Sequence, residues 1–385
     1  MKTSKDLFLI PKLLMITAGT WELELVGSSE LKKKFYKVYS IIMFVAYHTS
    51  HVSFSIKFIE LLGGDSIEKV VESASMIIIV FLLAIKMALC RRKQMTEVLD
   101  NAIKKKNTLL NDENGFSQKI YSGYFRYALI INISLTAWSF FVGLFLTVGG
   151  SFDYFKPSKD LTLNYTVKEL KPLHVLLWYP FDQEEYYGLV IFYEFFSILF
   201  SDLYNSCLQS LLNTMMIQIA ADLKILQYNF RSVGSGKETA YEDFKRCAKR
   251  YQEVIVHTTE LNKALRYTLL IEYVVSSIML ASILVQILSG KKAIFNTFYF
   301  GILAFQWCLL AWNANEIKQQ SEKLAMSIYE SNWYEHTKPT NQLAFITVLR
   351  TRRPLYLTIG PFGEMSINTA ISTLKLAYSY VSIMS

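Results

Sequence analysis

Seven apolar runs decide what this chain can become. They lie at about 35–61, 68–90, 124–149, 187–222, 267–289, 294–316 and 361–384. As helices, each reaches across a hydrocarbon core of roughly 30 Å. Inside a bilayer every backbone amide must be bonded within its own segment, so runs of this length predict helices. The expected fold class is an all-α membrane protein, one domain over residues 1–385 with seven transmembrane helices. A hydrophobic share of 52% and a mean hydropathy of +0.25 agree with that class.

Lys and Arg are unevenly shared between the connections. The first 34 residues and the 2–3, 4–5 and 6–7 connections hold 28 of them, and the other three connections hold seven. Flanking loops with this bias stay in the cytosol, which predicts a cytosolic N-terminus and an extracellular C-terminus. The net charge of +8 therefore reads as a topology signal, and no nucleic-acid partner is expected. The loop 150–186 then faces outward, and its Asn164-Tyr165-Thr166 is a candidate glycosylation site usable only on that side. Segments 223–266 and 317–360 are expected to continue the helices into the cytosol and pack there as an anchor domain. Phe244, Ala248, Tyr251 and Ile255 show the helical spacing that suggests it. The run Leu7–Ile16, broken by Pro11, is expected to lie at the cytosolic interface. This orientation is the reverse of a G-protein-coupled receptor, and no acidic-Arg-Tyr triplet ends the third run.

Catalytic chemistry finds little support. The four cysteines form no CxxC pair, so neither a disulfide framework nor a zinc site is indicated. His48 and His51 can share a helix face but lack a third ligand, so hydrogen bonding between helices is expected of them. Glu194, Asp202 and Glu272 lie in or at the ends of apolar runs and are expected near the interface or paired. No catalytic constellation, metal site or cofactor site is expected, and hence no enzyme. Aromatic residues do crowd the outward ends of three runs. Ser134, Trp138 and Phe141, with Phe195, Phe196, Phe298 and Tyr299, are candidates for an apolar ligand pocket. An aromatic belt with ordinary packing accounts for the same residues.

The last run carries a pattern of its own. Glu364, Asn368, Ser372, Lys375, Ser379 and Ser382 follow one another at spacings of three or four, one face of a helix starting at Pro361. A membrane helix with such a stripe lines water or bonds to a neighbouring helix. A transporter is the alternative, but no internal repeat of the kind transporters use is visible.

The C-terminal third resembles the insect odorant receptors. The residues are Ser321 to Tyr334 (SEKLAMSIYESNWY), Arg353 to Gly360 (RPLYLTIG) and Leu374 to Tyr380 (LKLAYSY), with Gly19-Thr20-Trp21 near the start. The closing Tyr378-Ser379-Tyr380 separates the chain from gustatory-type receptor channels, the nearer alternative. The resemblance implies an odorant-binding subunit of a heteromeric, ligand-gated, non-selective cation channel, probed by small volatile apolar molecules. It implies a tetramer with a shared co-receptor in the plasma membrane of olfactory sensory neurons. The short 4–5 connection resembles a tuning subunit and not the co-receptor. The last helix would line a shared pore through Asn368, Ser372, Lys375, Ser379 and Ser382. Its hydrophobic gate would fall at Ile383 or Val381, and the odorant pocket in the outer halves of the second, third, fourth and sixth spans.

Overall fold

A computed structural model describes residues 6–21, 29–64, 67–90, 93–110, 115–155, 176–234, 239–288 and 293–384. They form ten α-helices: α1 Leu9–Thr17, α2 Glu30–Leu62, α3 Ile67–Cys90, α4 Lys93–Leu110, α5 Gly115–Phe155, α6 Tyr187–Arg231, α7 Ala240–Leu288, α8 Ala293–Tyr329, α9 Lys338–Thr351 and α10 Ile367–Met384. A helix stands at each of the seven predicted runs. Among the described residues, α5, α6, α7 and α8 are long and apolar enough to cross a membrane unaided. In α2 the basic start and the two histidines dilute the apolar pattern, and in α10 the polar stripe does.

The helices run alternately up and down. Pairing of Asn132 with Thr214 and of Ser139 with Asp202 sets α5 antiparallel to α6. Pairing of Asn213 with Asn313 and of Gln227 with Gln320 sets α6 parallel to α8. We call the half that holds α1, α4 and α9 the lower half.

The lower half is built round α6. From Tyr204 to Leu226 nearly every side chain of this helix is buried, polar ones included. Each amide finds a partner. Asn313 donates to Asn213 Oδ1 at 2.7 Å, Gln218 to the Ala102 carbonyl at 2.8 Å, and Gln227 to the Gln320 carbonyl and side chain at 2.8 Å. Bonds of this kind between membrane helices contribute about 1 kcal/mol each. They fix the rotation of α6 against α8, which apolar packing alone would leave loose.

Helices do continue through 223–266 and 317–360, largely as the extended ends of α6, α7 and α8 with α9 beside them. α7 runs 49 residues without a break, and α9 packs on its lower part and on α8. Phe244, Tyr251 and Val254 are buried there. The segment Leu7–Ile16 packs more deeply on one side than expected: Leu7, Phe8 and Met15 are buried against α5 and α6, while Leu9 and Leu13 are 40% and 50% exposed on the other.

The last helix also differs from expectation. α10 begins at Ile367 and not at Pro361. The preceding residues form a narrow turn closed by an antiparallel bridge between Thr358 and Glu364. Gly360 and Gly363, at φ +53° and +119°, take conformations that other residues avoid. Their backbone needs override the helical spacing of the side chains. Glu364 therefore leaves the stripe and bonds Lys318 of α8 at 2.7 Å. That hydrogen bond to a carboxylate holds the Lys318 ammonium above its ordinary pKa.

Candidate functional site

Two features of the upper half are candidates for function. The first is a cavity of about 190 Å³ among α3, α5, α6, α7 and α8. Its walls are mainly aliphatic, from residues such as Ile79, Leu83, Val142 and Met279. This is smaller than the roughly 300 Å³ at which drug-sized pockets begin, so the space suits a small molecule.

Four charged residues enter that wall: Lys86, Glu194, Asp202 and Glu272. Lys86 Nζ lies 2.6 Å from Glu272 Oε1, with both side chains under 10% exposed. Gln209 donates to the same oxygen at 2.8 Å. The pair ties α3 to α7 at the cavity floor. Glu194 accepts a hydrogen bond from the Tyr179 hydroxyl at 3.1 Å, and Asp202 accepts one from Ser139 at 3.1 Å. Glu272, expected near the interface or paired, is paired. Its partner Lys86 is signalled by the sequence only through a lysine and a glutamate in separate apolar runs, which a bilayer tolerates only together.

Of the seven candidate pocket residues, the structure brings only Tyr299 to the cavity wall. The other six are not on that wall. Phe141 and Phe298 are exposed and meet edge to face at 5.7 Å on the outside of the α5–α8 seam. Trp138 stacks on Phe305 at 5.6 Å and presses on Gly301, where a Cβ would sit 3.0 Å from its ring. Phe195 and Phe196 pack on each other, and Ser134 is exposed. The wall of α5 is instead Ser139, Val142, Gly143 and Leu146, one step round the helix. Phe141 and Phe298 face outward, where a lipid-facing surface welcomes them, and Trp138 is half-buried in the α5–α8 seam. The inward face takes the small and polar groups that let helices approach.

His51 lies between two helices as expected. Its ring nitrogens are 3.1 Å from the Tyr47 and Val80 carbonyls, which joins α2 to α3. Among the described residues no group of His, Cys, Asp and Glu could hold a metal ion.

The second feature is the face of α10. Ala370, Thr373 and Ala377 are buried where α10 rests on α7 and α8. Asn368, Ser372, Lys375 and Ser379 are exposed, and they lie about 180° round the helix from that buried face. The stripe thus points away from the rest of the chain. The side chains of Val381, Ser382 and Ile383 lie outside the described residues, as does Asn164.

Comparisons with known proteins agree on one relationship. The family model described as 7tm Odorant receptor matches residues 66–378. Odorant receptor Or2 of Anopheles gambiae is 25% identical over 157 residues, which cover 40% of this chain and 41% of that protein. Odorant receptor 10 of Aedes albopictus is 24% identical over 137 residues, covering 35% and 36%. The chain thus matches about two fifths of the length of these relatives. The solved structure of the insect olfactory receptor OR5 from Machilis hrabei superposes with a TM-score of 0.81 at 15% identity. The match covers 97% of this chain and 96% of that one. The structure of that receptor in complex with eugenol gives 0.80 over 98% and 96%. At such identity the likeness is one of fold.

Proposed function

The chain belongs to the 7tm odorant receptor family, and on that premise we propose that it is the odorant-binding subunit of a ligand-gated, non-selective cation channel. It is a multi-pass membrane protein and not an enzyme. In this reading α2, α3, α5, α6, α7, α8 and α10 all cross the bilayer, with the N-terminus in the cytosol and the C-terminus outside. The lower half is then the cytosolic anchor domain, and Asn164 faces the glycosylating compartment. The chain works in the plasma membrane of olfactory sensory neurons, in a heteromer (a tetramer) with a shared co-receptor.

One observation carries the reading: the polar stripe of α10 turns away from its own chain. A lysine facing lipid at mid-bilayer costs about 2.5–3.5 kcal/mol on insertion scales. Facing a water-filled axis shared with neighbouring subunits, Lys375 and the hydroxyls beside it avoid that cost. Ile383 or Val381 then supplies the apolar ring that closes the axis by dewetting.

The cavity supplies the ligand site, and the eugenol complex of the Machilis hrabei receptor supports placing an odorant in this fold. Leu303 joins the cavity to α10. It lines the cavity wall and belongs to the cluster of Leu280, Ala281 and Ala377 on which α10 rests. A ligand that favours one packing of α7 and α8 therefore biases the position of α10, a population shift.

The test is electrical. Expressed with a co-receptor, the chain gives odorant-evoked cation currents within milliseconds, and Ile383→Ala raises the ligand-free current. Saturable uptake of odorant with no current would overturn the channel reading.

A further inference from the structure

We propose that the cavity selects small amines in their protonated form, with Asp202 as the group that receives the ammonium. The inference rests on reading the cavity as the ligand site and adds the chemical class of the ligand.

The charge of the wall points there first. Three carboxyl groups line the cavity, Glu194, Asp202 and Glu272, against the single ammonium of Lys86. That ammonium is engaged at 2.6 Å by Glu272, whose oxygen Gln209 also holds. It is thus committed away from Asp202. Glu194, 1% exposed, is sunk beside the Tyr179 hydroxyl. Asp202 keeps part of its surface open to the cavity. Its one hydrogen bond is the neutral Ser139 hydroxyl on Oδ1 at 3.1 Å, and among the described residues no Lys, Arg or His pairs with it. A carboxylate offers about four acceptor positions, and the Ser139 hydroxyl takes one of them.

The backbone is shaped to keep it there. Oδ2 of Asp202 occupies the space where a Cβ on residue 143 would stand, and Ile198 Cγ2 closes the same spot at 3.0 Å. Only glycine lets the carboxylate lie against α5 at this level. An ionised group in an apolar enclosure is costly without a counter-charge, so a cationic ligand recovers energy that a neutral one of equal size cannot. The remaining wall suits the rest of such a ligand. Its aliphatic side chains accept an apolar body, and the rings of Phe295 and Tyr299 favour a nearby cation.

The experiment compares 2-phenylethylamine with 2-phenylethanol, which have the same number of non-hydrogen atoms and differ in charge. Thermal stabilisation of the purified full-length chain in detergent is followed against the concentration of each. The amine should act at concentrations about tenfold lower than the alcohol, the scale of one charge-assisted contact. In Asp202→Asn that preference should fall to near unity. Gly143→Ala keeps the charge but displaces it, and should likewise erase the preference, so the test stands even if one variant folds poorly. Equal potency of amine and alcohol in the wild type would overturn the proposal. So would no stabilisation by the amine, or a preference that survives both substitutions. Stabilisation by the amine without evoked current in the co-expressed channel would count against the channel reading alone.

Discussion

The helix α6 passes through both halves of the molecule and behaves differently in each. Below Tyr204 it is enclosed on all sides, and its polar side chains, Thr214 included, are matched by partners on α4, α5 and α8. Above that point it shows an outward face with Phe192 exposed and an inward face with Glu194 and Asp202 at a cavity. The lower half spends its polar groups on each other. The upper half keeps three carboxyl groups, one of them paired with Lys86, round a space that a ligand can fill. Dense packing and an open cavity are thus separated along one helix, because packing as tight as that of the lower half leaves no room for a space like that of the upper.

The sharpest way to break this contrast is to unpair the charge in the upper half. Glu272→Ala leaves Lys86 buried without a partner and should cost about 3–5 kcal/mol, read as lost surface expression or a lower melting temperature. Replacing both residues by Met should recover most of the loss. If the single and double variants are equally unstable, the pair is not the element that holds α3 to α7. In the lower half, Leu212 is 0% exposed, and Leu212→Ala should cost about 2–5 kcal/mol. Met279→Ala only enlarges an existing space, so it should cost less and shift ligand preference towards bulkier molecules. Equal costs at the two positions would dissolve the distinction between the halves. A smaller effect is expected at Lys318 and Glu364, which are 28% and 41% exposed. Lys318→Ala should cost no more than about 1 kcal/mol, and a larger loss by thermal melting would make that contact a structural clamp. The smallest effect concerns the lower core's chemistry. Burial pushes the Cys247 thiol up to about 12, so almost none of it is thiolate at neutral pH. Maleimide at pH 7.5 should leave Cys247 unlabelled until the protein is denatured.

The long lower reach of α7 was legible because Phe244, Tyr251 and Ile255 repeat at helical spacing beside charged residues, so water and core select opposite faces. The upper half was less legible. Trp138 and Phe141 read as pocket candidates or as an aromatic belt alike, because lipid is as apolar as a protein core and hydrophobicity no longer tells inside from outside. The better signal there was polarity. Ser139, Asp202 and Glu272 face inward because lipid rejects them. The start of α10 was misplaced for another reason. Side-chain spacing continued unbroken through Glu364, whereas the backbone of Gly360 and Gly363 decided the matter. The stripe beyond it, from Asn368 to Ser379, does share one exposed face.

The narrow turn before α10 has a mechanical consequence. It is fastened on two sides: Thr358 and Gly360 bond Asn262 and Arg266 of α7, and Leu355 and Glu364 bond Ser321 and Lys318 of α8. The rod beyond it is 18 residues long, about 27 Å. With one end fastened so, the turn is a pivot and α10 is a lever. A tilt of about 10° would carry its far tip roughly 5 Å sideways, while displacements near the pivot stay below 1 Å. Small changes in how α7 and α8 sit against each other are thereby magnified at the far tip, where Val381 and Ile383 lie.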